Sequence, residues 1–486
     1  MIDAPDIKSF IDGAMAGGAR RFPNISPQDG RVLGHVHEAT REDVDAAVRA
    51  ARHALPAWAA LPQDERVRLL HAVADGIMAR IDDFVAAEVA DNGMPAAFAR
   101  RVDVPRGAAN FRIFADLVRN VPTESFAMTA PDGSPAMNYT LRTPRGVIAV
   151  VCPWNLPLLL TTWKVGPALA CGNTVVVKPS EETPTATALL ADVIAAAGIP
   201  AGVFNVVQGF GAGSTGEWLT QHPGVDGVTF TGETATGEAI MAAAAKGVRP
   251  VSFELGGKNP AIVFADADLD RAVATLARAA FENCGQVCLG TERIYVERPV
   301  FDRFVAGMKA AAEALVIGRS DDPATMLGPL ISIGHRDKVL GYYARALADG
   351  ATLVTGGGIP EVDAALAKGA WIEPTIWTGL PDTSAICREE IFGPCCHIAP
   401  FDAEDEVVGR ANDTPYGLCA SIWTRDLARA HRMAAAVEVG ICWINSWFLR
   451  DLRTAFGGAK QSGIGREGGV HSLEFYSELR NVCIAL

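Results

Sequence analysis

The chain reads Gly146-Val-Ile-Ala-Val-Val-Cys152 and, a little further on, Thr174-Val-Val-Val-Lys178. Short apolar runs rich in β-branched residues are typical of strands buried on both faces of a parallel sheet. Strands of this kind that alternate with helical patterns predict a doubly wound α/β domain. The predicted strands are residues 146–152, 174–178, 203–208 and 227–231, and the predicted helices between them are 183–197 and 213–220.

The alternation then continues with different loops, which predicts a second α/β domain beginning near Gly256. The first third of the chain is mainly helical by pattern. Thr40 followed by Asp43 is typical of a helix start, and a second amphipathic stretch covers residues 64–90. Residues 123–143 resemble neither domain and predict an extended hairpin. In the second domain the predicted strands are 261–264, 293–297, 351–355 and 419–423, and the predicted helices are 269–284, 300–315 and 333–349.

Composition excludes several classes of protein. The chain has 486 residues, 49% of them hydrophobic and 20% charged, which is typical of a globular protein with more than one core. Its net charge of −13 argues against general nucleic-acid binding, which needs basic patches. Its apolar stretches are too short for a membrane span. Asp3 and Asp6 stand where a secretory signal would be basic or apolar, so we expect a cytoplasmic protein.

The ten cysteines are scattered and show neither C-x-x-C pairs nor Cys/His ligand spacing. We therefore expect reduced thiols that mostly pack in the core, with neither a metal site nor a disulfide framework.

Three strand ends compete as a cofactor site. Gly211-Ala-Gly-Ser-Thr-Gly216 matches G-x-G-x-x-G between a predicted strand and helix, but in a chain with 48 glycines it is equally an ordinary turn. Lys178 and Glu181 follow an apolar strand; this carboxylate would bind a ribose diol and repel a 2′-phosphate, unless the two residues are a solvated loop pair. Gly232 and Glu233 precede a helix whose free N–H groups would face phosphate.

Three further residues supply the parts for acyl chemistry. Cys288 lies just past a predicted helix and would act as a thiol nucleophile. Glu254 ends an apolar strand and would act as a general base. Asn155 lies on a proline-bracketed loop and would donate its amide to an oxyanion. The alternatives are a core cysteine, a glutamate paired with a lysine and an asparagine that holds a turn.

These residues belong to seven motifs whose types and order resemble the aldehyde dehydrogenase superfamily essentially from end to end. The motifs are Pro153-Trp-Asn-Leu-Pro157, Lys178-Pro-Ser-Glu181, Phe230-Thr-Gly-Glu-Thr-Ala-Thr-Gly237, Glu254-Leu-Gly-Gly-Lys258, Phe281-Glu-Asn-Cys-Gly-Gln-Val-Cys288-Leu-Gly290, Glu390-Ile-Phe-Gly-Pro394 and Phe456-Gly-Gly458.

The resemblance implies that the enzyme oxidises an aldehyde to a carboxylic acid with NAD, and less readily with NADP. Cys288 would attack the aldehyde, and Asn155 together with the Cys288 backbone N–H would hold the oxyanion. Glu254 would activate the water that hydrolyses the thioester, which favours a hydrolytic member over relatives that pass the acyl group to coenzyme A or phosphate. The residues implied at the cofactor are Lys178 and Glu181 at the adenosine ribose, Gly211 near adenine, Gly232 and Glu233 near the pyrophosphate, Trp154, and Glu390 and Phe392 at the nicotinamide ribose and ring.

Two arginines bear on the substrate. Arg450 falls where relatives that use apolar aldehydes often have an aromatic residue, and Arg106 falls at a tunnel-facing position, with Trp163 as a further substrate contact. An arginine can bind a carboxylate through paired hydrogen bonds. The alternative is that these residues, and Arg453 nearby, join salt bridges or a subunit interface.

Four segments narrow the resemblance: Phe111-Arg-Ile-Phe-Ala-Asp116, Thr231-Gly-Glu-Thr234, Arg450-Asp-Leu-Arg-Thr454 and Ser462-Gly-Ile-Gly-Arg-Glu-Gly-Gly469. Together they are most similar to the 2-hydroxymuconate and 2-aminomuconate semialdehyde dehydrogenases, so we expect a carboxylated, unsaturated semialdehyde as substrate. The alternatives are an aliphatic or betaine-type aldehyde, or a non-catalytic member of the fold. The resemblance also implies a homodimer or homotetramer. The expected parts are a cofactor domain (1–122 and 144–255), a catalytic domain (256–460) and a small β element that bridges subunits (123–143 and 470–486).

Overall fold

The computed structural model of the protein describes residues 6–486. Residues 1–5, which begin the expected cofactor domain and include Asp3, lie outside the described residues. The strands, numbered in chain order, are β1 (Ser9–Ile11), β2 (Ala14–Ala16), β3 (Arg21–Ile25), β4 (Val32–His37), β5 (Ser125–Thr129), β6 (Pro135–Pro144), β7 (Val147–Val151), β8 (Thr174–Lys178), β9 (Phe204–Val206), β10 (Gly227–Thr231), β11 (Val251–Glu254), β12 (Asn259–Val263), β13 (Thr291–Glu297), β14 (Thr352–Thr355), β15 (Thr375–Thr378), β16 (Cys395–Phe401), β17 (Tyr416–Gly417), β18 (Cys419–Trp423), β19 (Ile441–Ile444), β20 (Ala459–Lys460), β21 (Gly463–Ile464) and β22 (Ser477–Ala485).

The α-helices, numbered in the same way, are α1 (Arg41–Ala60), α2 (Gln63–Ala79), α3 (Ile81–Asp91), α4 (Ala96–Phe98), α5 (Val104–Val118), α6 (Pro157–Ala170), α7 (Thr185–Ala196), α8 (Thr215–Gln221), α9 (Thr234–Ala245), α10 (Leu269–Phe281), α11 (Phe301–Glu313), α12 (Ile333–Ala348), α13 (Ala385–Arg388), α14 (Glu404–Asn412), α15 (Leu427–Ala436) and α16 (Gly469–Tyr476).

The first sheet has the strand order β2-β1-β9-β8-β7-β10-β11-β21. Its central strands β9 to β11 are parallel, and every residue of β7, β8 and β10 is buried because helices cover both faces. From β7 the chain continues outward to β8 and β9 on one side, and β10 and β11 lie on the other. The carboxyl ends of β7 and β10 therefore flank a topological switch point, where open α/β sheets bind ligands.

The second sheet has the order β14-β15-β16-β13-β12-β18-β19 and is parallel except at β14. Its interior strands are also buried at nearly every position. The predicted α/β fold with two doubly wound sheets is confirmed. Because β21 returns to the edge of the first sheet, residues after the second sheet rejoin the first core.

A third, antiparallel sheet consists of β5, β6 and β22. Its hairpin forms within the stretch predicted to be extended. The β element expected over 470–486 begins later than predicted. Residues 469–476 form α16, and the strand begins at Ser477. Leu473 and Tyr476 of that helix are 1% exposed and pack in the core under the first sheet, so apolar contacts hold this segment as helix.

Two other predictions need correction. The first third is not only helical, because β1 to β4 precede α1; these strands are short and carry little apolar alternation. The helix expected over 269–284 ends at Phe281, because Asn283 and Cys284 have positive φ angles of 53° and 55°. The helix start at Thr40 is present, since its side chain and that of Asp43 form a reciprocal capping box.

Candidate active site and cofactor cleft

A continuous cleft runs between the carboxyl ends of the first sheet and the second sheet. Its inner part is a cavity of about 460 Å³ that contains Asn155, Glu254 and Cys288. Its outer part is a cavity of about 800 Å³ that extends to Lys178 and Glu181. The two parts share the wall formed by the residues that follow β7 and β10, which are Pro153, Trp154, Thr231, Gly232 and Glu233.

Cys288 lies at the inner end, in the loop between α10 and β13. Its carbonyl accepts a hydrogen bond from the Asn259 side chain at 2.7 Å, which fixes the backbone beside the thiol. Burial raises the pKa of the Cys288 thiol to about 12, and the carboxyls of Glu254 and Glu390 add to the rise while Arg450 opposes it. The thiol is therefore protonated at neutral pH, and a base must take its proton before it can attack.

Glu254, the last residue of β11, is 5% exposed. Neither carboxyl oxygen has a hydrogen-bond partner among the described residues, so the carboxyl is not paired with a lysine there, and Glu254 lines the same cavity as Cys288. Burial, and then the neighbouring Glu467, raise the pKa of Glu254 well above its usual value. A carboxylate whose charged form is poorly solvated is a strong base, which suits proton abstraction from a thiol or a water.

Beneath Glu254 lies a buried ion pair that the sequence analysis missed. The Lys164 ammonium of α6 contacts the Glu467 carboxylate at 2.8 Å, and both side chains are at most 2% exposed. A lysine inside an otherwise apolar helix was the available signal, since a buried charge needs a partner.

Asn155 is held on its loop from several directions. Its side-chain amide donates to the Gln286 carbonyl at 2.9 Å, and its own carbonyl accepts from Asn283 at 2.9 Å. Asn92 donates to the preceding carbonyl of Trp154 at 2.7 Å. Because a primary amide has two N–H groups, the contact with Gln286 leaves one for a ligand oxygen.

Lys178 and Glu181 form an ion pair of 2.8 Å at the end of β8. Lys178 is 4% exposed while the Glu181 side chain is 33% exposed, and both line the outer part of the cleft. Gly211 also lines this outer part. The Gly213 N–H in the same loop donates to the Glu217 carboxylate at 2.8 Å and is unavailable for phosphate, which agrees with the loop lying away from the pyrophosphate.

Between the two parts of the cleft, Gly232 and Glu233 lead into α9. Glu233 is the residue that caps this helix in an extended conformation, and its side chain makes no capping hydrogen bond among the described residues. The first N–H groups of α9 therefore face the narrow middle of the cleft, where a helix N-terminus favours an anion. A carboxylate at one end, a helix N-terminus in the middle and a thiol at the other end fit a dinucleotide.

Glu390 and Phe392 lie at the inner part, opposite Trp154. The Gly257 N–H donates to the Glu390 carboxyl at 2.9 Å. A Cβ at Gly256 would lie 2.2 Å from that carboxyl, so a larger residue at this position would displace the Glu390 side chain. The Phe392 and Trp154 rings meet edge to face with centroids 5.4 Å apart.

Arg450 is stacked between two rings on the far side of Cys288 and Glu254. Its guanidinium carbon lies 3.6 Å from the Phe456 ring centroid and 4.2 Å from that of Trp163. Within residues 6–486 its Nε and Nη2 atoms have no hydrogen-bond partner. Burial and the nearby charge of Arg106 lower the pKa of Arg450 to about 9, although the carboxyls of Glu254 and Glu467 oppose the change.

The other arginines separate into two groups. Arg106 is partly buried, its Nε atom has no partner in the described part of the chain, and burial lowers its pKa to about 10. Arg453 is exposed and pairs with Asp451 at 2.6 Å, and Arg112 pairs with Asp75 at 2.6 Å. For Arg453, the salt-bridge alternative holds.

The described residues contain no group of three or more His, Cys, Asp or Glu side chains that could hold a metal ion. Among them, too, no helix combines the length and the apolar character needed to cross a membrane.

The sequence is similar to a known protein family over nearly its whole length. Residues 14–482 match the model of the aldehyde dehydrogenase family. The chain belongs to the aldehyde dehydrogenase family. It is 65% identical to the 2-hydroxymuconic semialdehyde dehydrogenase of Pseudomonas sp. strain CF600, covering 99% of this chain and 100% of that protein. It is 54% identical to a 2-aminomuconic 6-semialdehyde dehydrogenase of Pseudomonas sp., covering 99% and 98% respectively.

Among solved structures, the NAD⁺ complex of an aldehyde dehydrogenase from Bacillus cereus matches with a TM-score of 0.95 and 36% identity, covering 99% of this chain and 97% of that one. The predicted family, its fold and an enzyme of the aldehyde dehydrogenase class are thereby confirmed.

Proposed function

We propose that the protein is an NAD-dependent dehydrogenase that oxidises a muconic-type semialdehyde to the corresponding dicarboxylic acid. The observation that carries this substrate class is Arg450, a stacked guanidinium with unpaired N–H groups close to Cys288. A carboxylate on the substrate would supply the partner that Arg450 lacks. The names of the similar Pseudomonas proteins support the same class.

In the mechanism, Glu254 accepts the proton of the Cys288 thiol, and the thiolate sulfur bonds to the aldehyde carbon. The free N–H of Asn155 and the Cys288 backbone N–H stabilise the resulting oxyanion. When bound, NAD supplies the acceptor for the hydride that leaves this carbon. Cys288 then carries a thioester. Glu254 releases the thiol proton to solvent and then accepts a proton from the water that adds to the thioester carbonyl, so that the acid departs and the thiolate is restored.

The cleft itself supports NAD over NADP. Glu181 lies where it can accept hydrogen bonds from a ribose diol, and its negative charge would repel a 2′-phosphate at the same place. Lys178 reduces this repulsion through its ion pair with Glu181 but does not remove it.

The alternative substrates fit less well. A betaine-type aldehyde carries a cation, which Arg450 and Arg106 would repel. An aliphatic aldehyde would leave both guanidinium groups desolvated and unpaired. A non-catalytic role is disfavoured because Asn155, Glu254 and Cys288 all line one cavity.

The third sheet supports assembly into a homodimer or homotetramer. Phe126 is 62% exposed, Leu479 59% and Leu486 68%, all on or next to β5 and β22. Exposed apolar side chains on a sheet favour association, and a second copy of the chain would cover them. We also propose that the enzyme acts in the cytoplasm.

The test compares 2-hydroxymuconic semialdehyde with 2,4-hexadienal, which has the same carbon number and conjugation but no carboxylate. NADH formation by the wild type should be at least about tenfold more efficient with the acid-bearing aldehyde, the factor that corresponds to about 1.4 kcal/mol. Cys288→Ser is the control and should form no NADH with either. Equal efficiency for the two aldehydes would overturn the substrate class, and NADH formation by Cys288→Ser would overturn the mechanism.

A further inference from the structure

Phe392, at the inner end of the cleft, has a left-handed backbone conformation with a φ of 61°. A bulky side chain rarely adopts this conformation because its Cβ crowds the backbone. Such strain persists only where the surrounding structure holds it, and it is concentrated at functional sites. The contacts that hold Phe392 are therefore informative.

Glu292 of β13 binds the amide side of this residue. Its carboxylate, 7% exposed, accepts the Phe392 N–H at 2.9 Å and the Ile391 N–H at 3.1 Å. The Lys258 ammonium, 1% exposed, pairs with the same carboxylate. A buried carboxylate with a cation and two N–H donors is fully satisfied, and loss of one partner would be strongly unfavourable.

His335 of α12 binds the carbonyl side. Its Nε2–H donates to the Phe392 carbonyl at 2.8 Å. Burial lowers the pKa of His335 to about 4, so the ring is neutral at physiological pH and keeps this hydrogen bond. The His335 ring also meets the Trp154 ring at 5.3 Å, which fixes its orientation. Side chains from two separate elements thus bind the backbone N–H and the backbone carbonyl of one strained residue, Phe392.

We propose that Glu292 and His335 are positioning residues that clamp Phe392 in its left-handed conformation and so set the loop 390–392 against the nicotinamide end of the cofactor. The inference rests on the proposed function for the identity of that cofactor. The loop carries Glu390 at its start, whose carboxyl is fixed by the Gly257 N–H, so the clamp completes the restraint at the other end. Hydride transfer requires the reacting atoms to be held in a narrow range of geometry, which such a restraint provides.

Loss of these contacts should affect the nicotinamide end of the cleft and not the adenosine end. The adenosine end, at Lys178 and Glu181, has no contact with Glu292 or His335 among the described hydrogen bonds. Loosening the clamp should therefore weaken binding of the whole dinucleotide while AMP, which reaches only the adenosine end, binds as before. A global loss of structure would weaken both.

The variant is Glu292→Gln, which keeps the size of the side chain but places an amide N–H₂ against Lys258 or a backbone N–H. Calorimetry on the full-length, cofactor-free protein should show that the Kd for NAD rises about tenfold, while the Kd for AMP stays unchanged. The matched control is Glu297→Gln at the other end of β13, whose carboxylate accepts the Ala265 N–H at 2.6 Å away from the cleft. It should change neither constant.

A second pair of variants covers the case that Glu292→Gln fails to fold. His335→Leu should raise the Kd for NAD several-fold, and His335→Gln, which keeps an N–H donor, should restore most of the affinity. A crystal structure of a weakened variant should show Phe392 with a negative φ.

Unchanged NAD affinity in both Glu292→Gln and His335→Leu, equal weakening of NAD and AMP, or an unchanged Phe392 φ in a weakened variant would each overturn the clamp. If the wild type itself does not bind NAD, the proposed function fails instead. The two failures are distinguishable because the first is measured on the variants and the second on the wild type.

Discussion

Replacement of Arg450 by methionine tests the substrate class most sharply. Methionine is unbranched and flexible, so it can fill part of the space between the Trp163 and Phe456 rings, but it removes every side-chain N–H donor. Hydrogen bonds to a charged group contribute about 1.5–3 kcal/mol, and about 1.4 kcal/mol is a factor of ten. We therefore expect kcat/KM for 2-hydroxymuconic semialdehyde to fall about 10- to 150-fold.

Arg450 also acts on the nucleophile, because its charge lowers the pKa of the Cys288 thiol. This second effect applies to any aldehyde, so the informative quantity is the ratio of kcat/KM for the acid-bearing aldehyde to that for 2,4-hexadienal. In Arg450→Met the ratio should fall by at least about tenfold.

The control for this experiment is Arg453→Met on the same loop. Arg453 is exposed and already paired with Asp451, so its loss should leave the ratio unchanged. A fall of equal size for both aldehydes in Arg450→Met would refute the idea that Arg450 binds the substrate carboxylate, and would leave only its effect on the thiol.

Three further results are expected. Glu254→Gln should form NADH slowly, because the thiol has lost its base, and should stop after one NADH per subunit, because the thioester has lost the base for its hydrolysis; full steady-state turnover would contradict these roles. Alkylation of Cys288 by iodoacetamide should speed up about tenfold per pH unit between pH 7 and 10, since the pH lies below a thiol pKa of about 12; a plateau near pH 8 would contradict it. Glu181→Gln should lower the Kd for NADP relative to NAD, measured by calorimetry, and an unchanged ratio would show that Glu181 does not face the 2′ position.

The regular core of the fold was predictable because its strands are buried on both faces. β8, β10 and β18 have exactly the predicted bounds, since each is an apolar run that ends at a polar or glycine-rich loop. Strands β1 and β2 were missed because three residues give too little pattern. The start of β22 was misplaced because α16 is held as a helix by tertiary packing of Leu473 and Tyr476.

The site was predictable where a motif places a residue at the end of a strand, as with Glu254 and Lys178. The pattern of residues along one sequence does not predict contacts between segments that are far apart in the chain. Glu292 and Phe392 are 100 residues apart, and Lys164 and Glu467 are 303 apart, so neither contact has a local signal. For the same reason the sequence did not decide whether Arg450 and Arg453 bind substrate or form salt bridges. The packing shows that Arg450 is stacked between two rings and that Arg453 forms an exposed ion pair.

The most direct measurement is the mass of the peptide that contains Cys288 after acid quench of Glu254→Gln with NAD and the semialdehyde. We predict an acyl adduct on Cys288, in an amount equal to the NADH formed. NADH formation without an adduct on Cys288, or with the adduct on another cysteine, would contradict covalent catalysis by this residue.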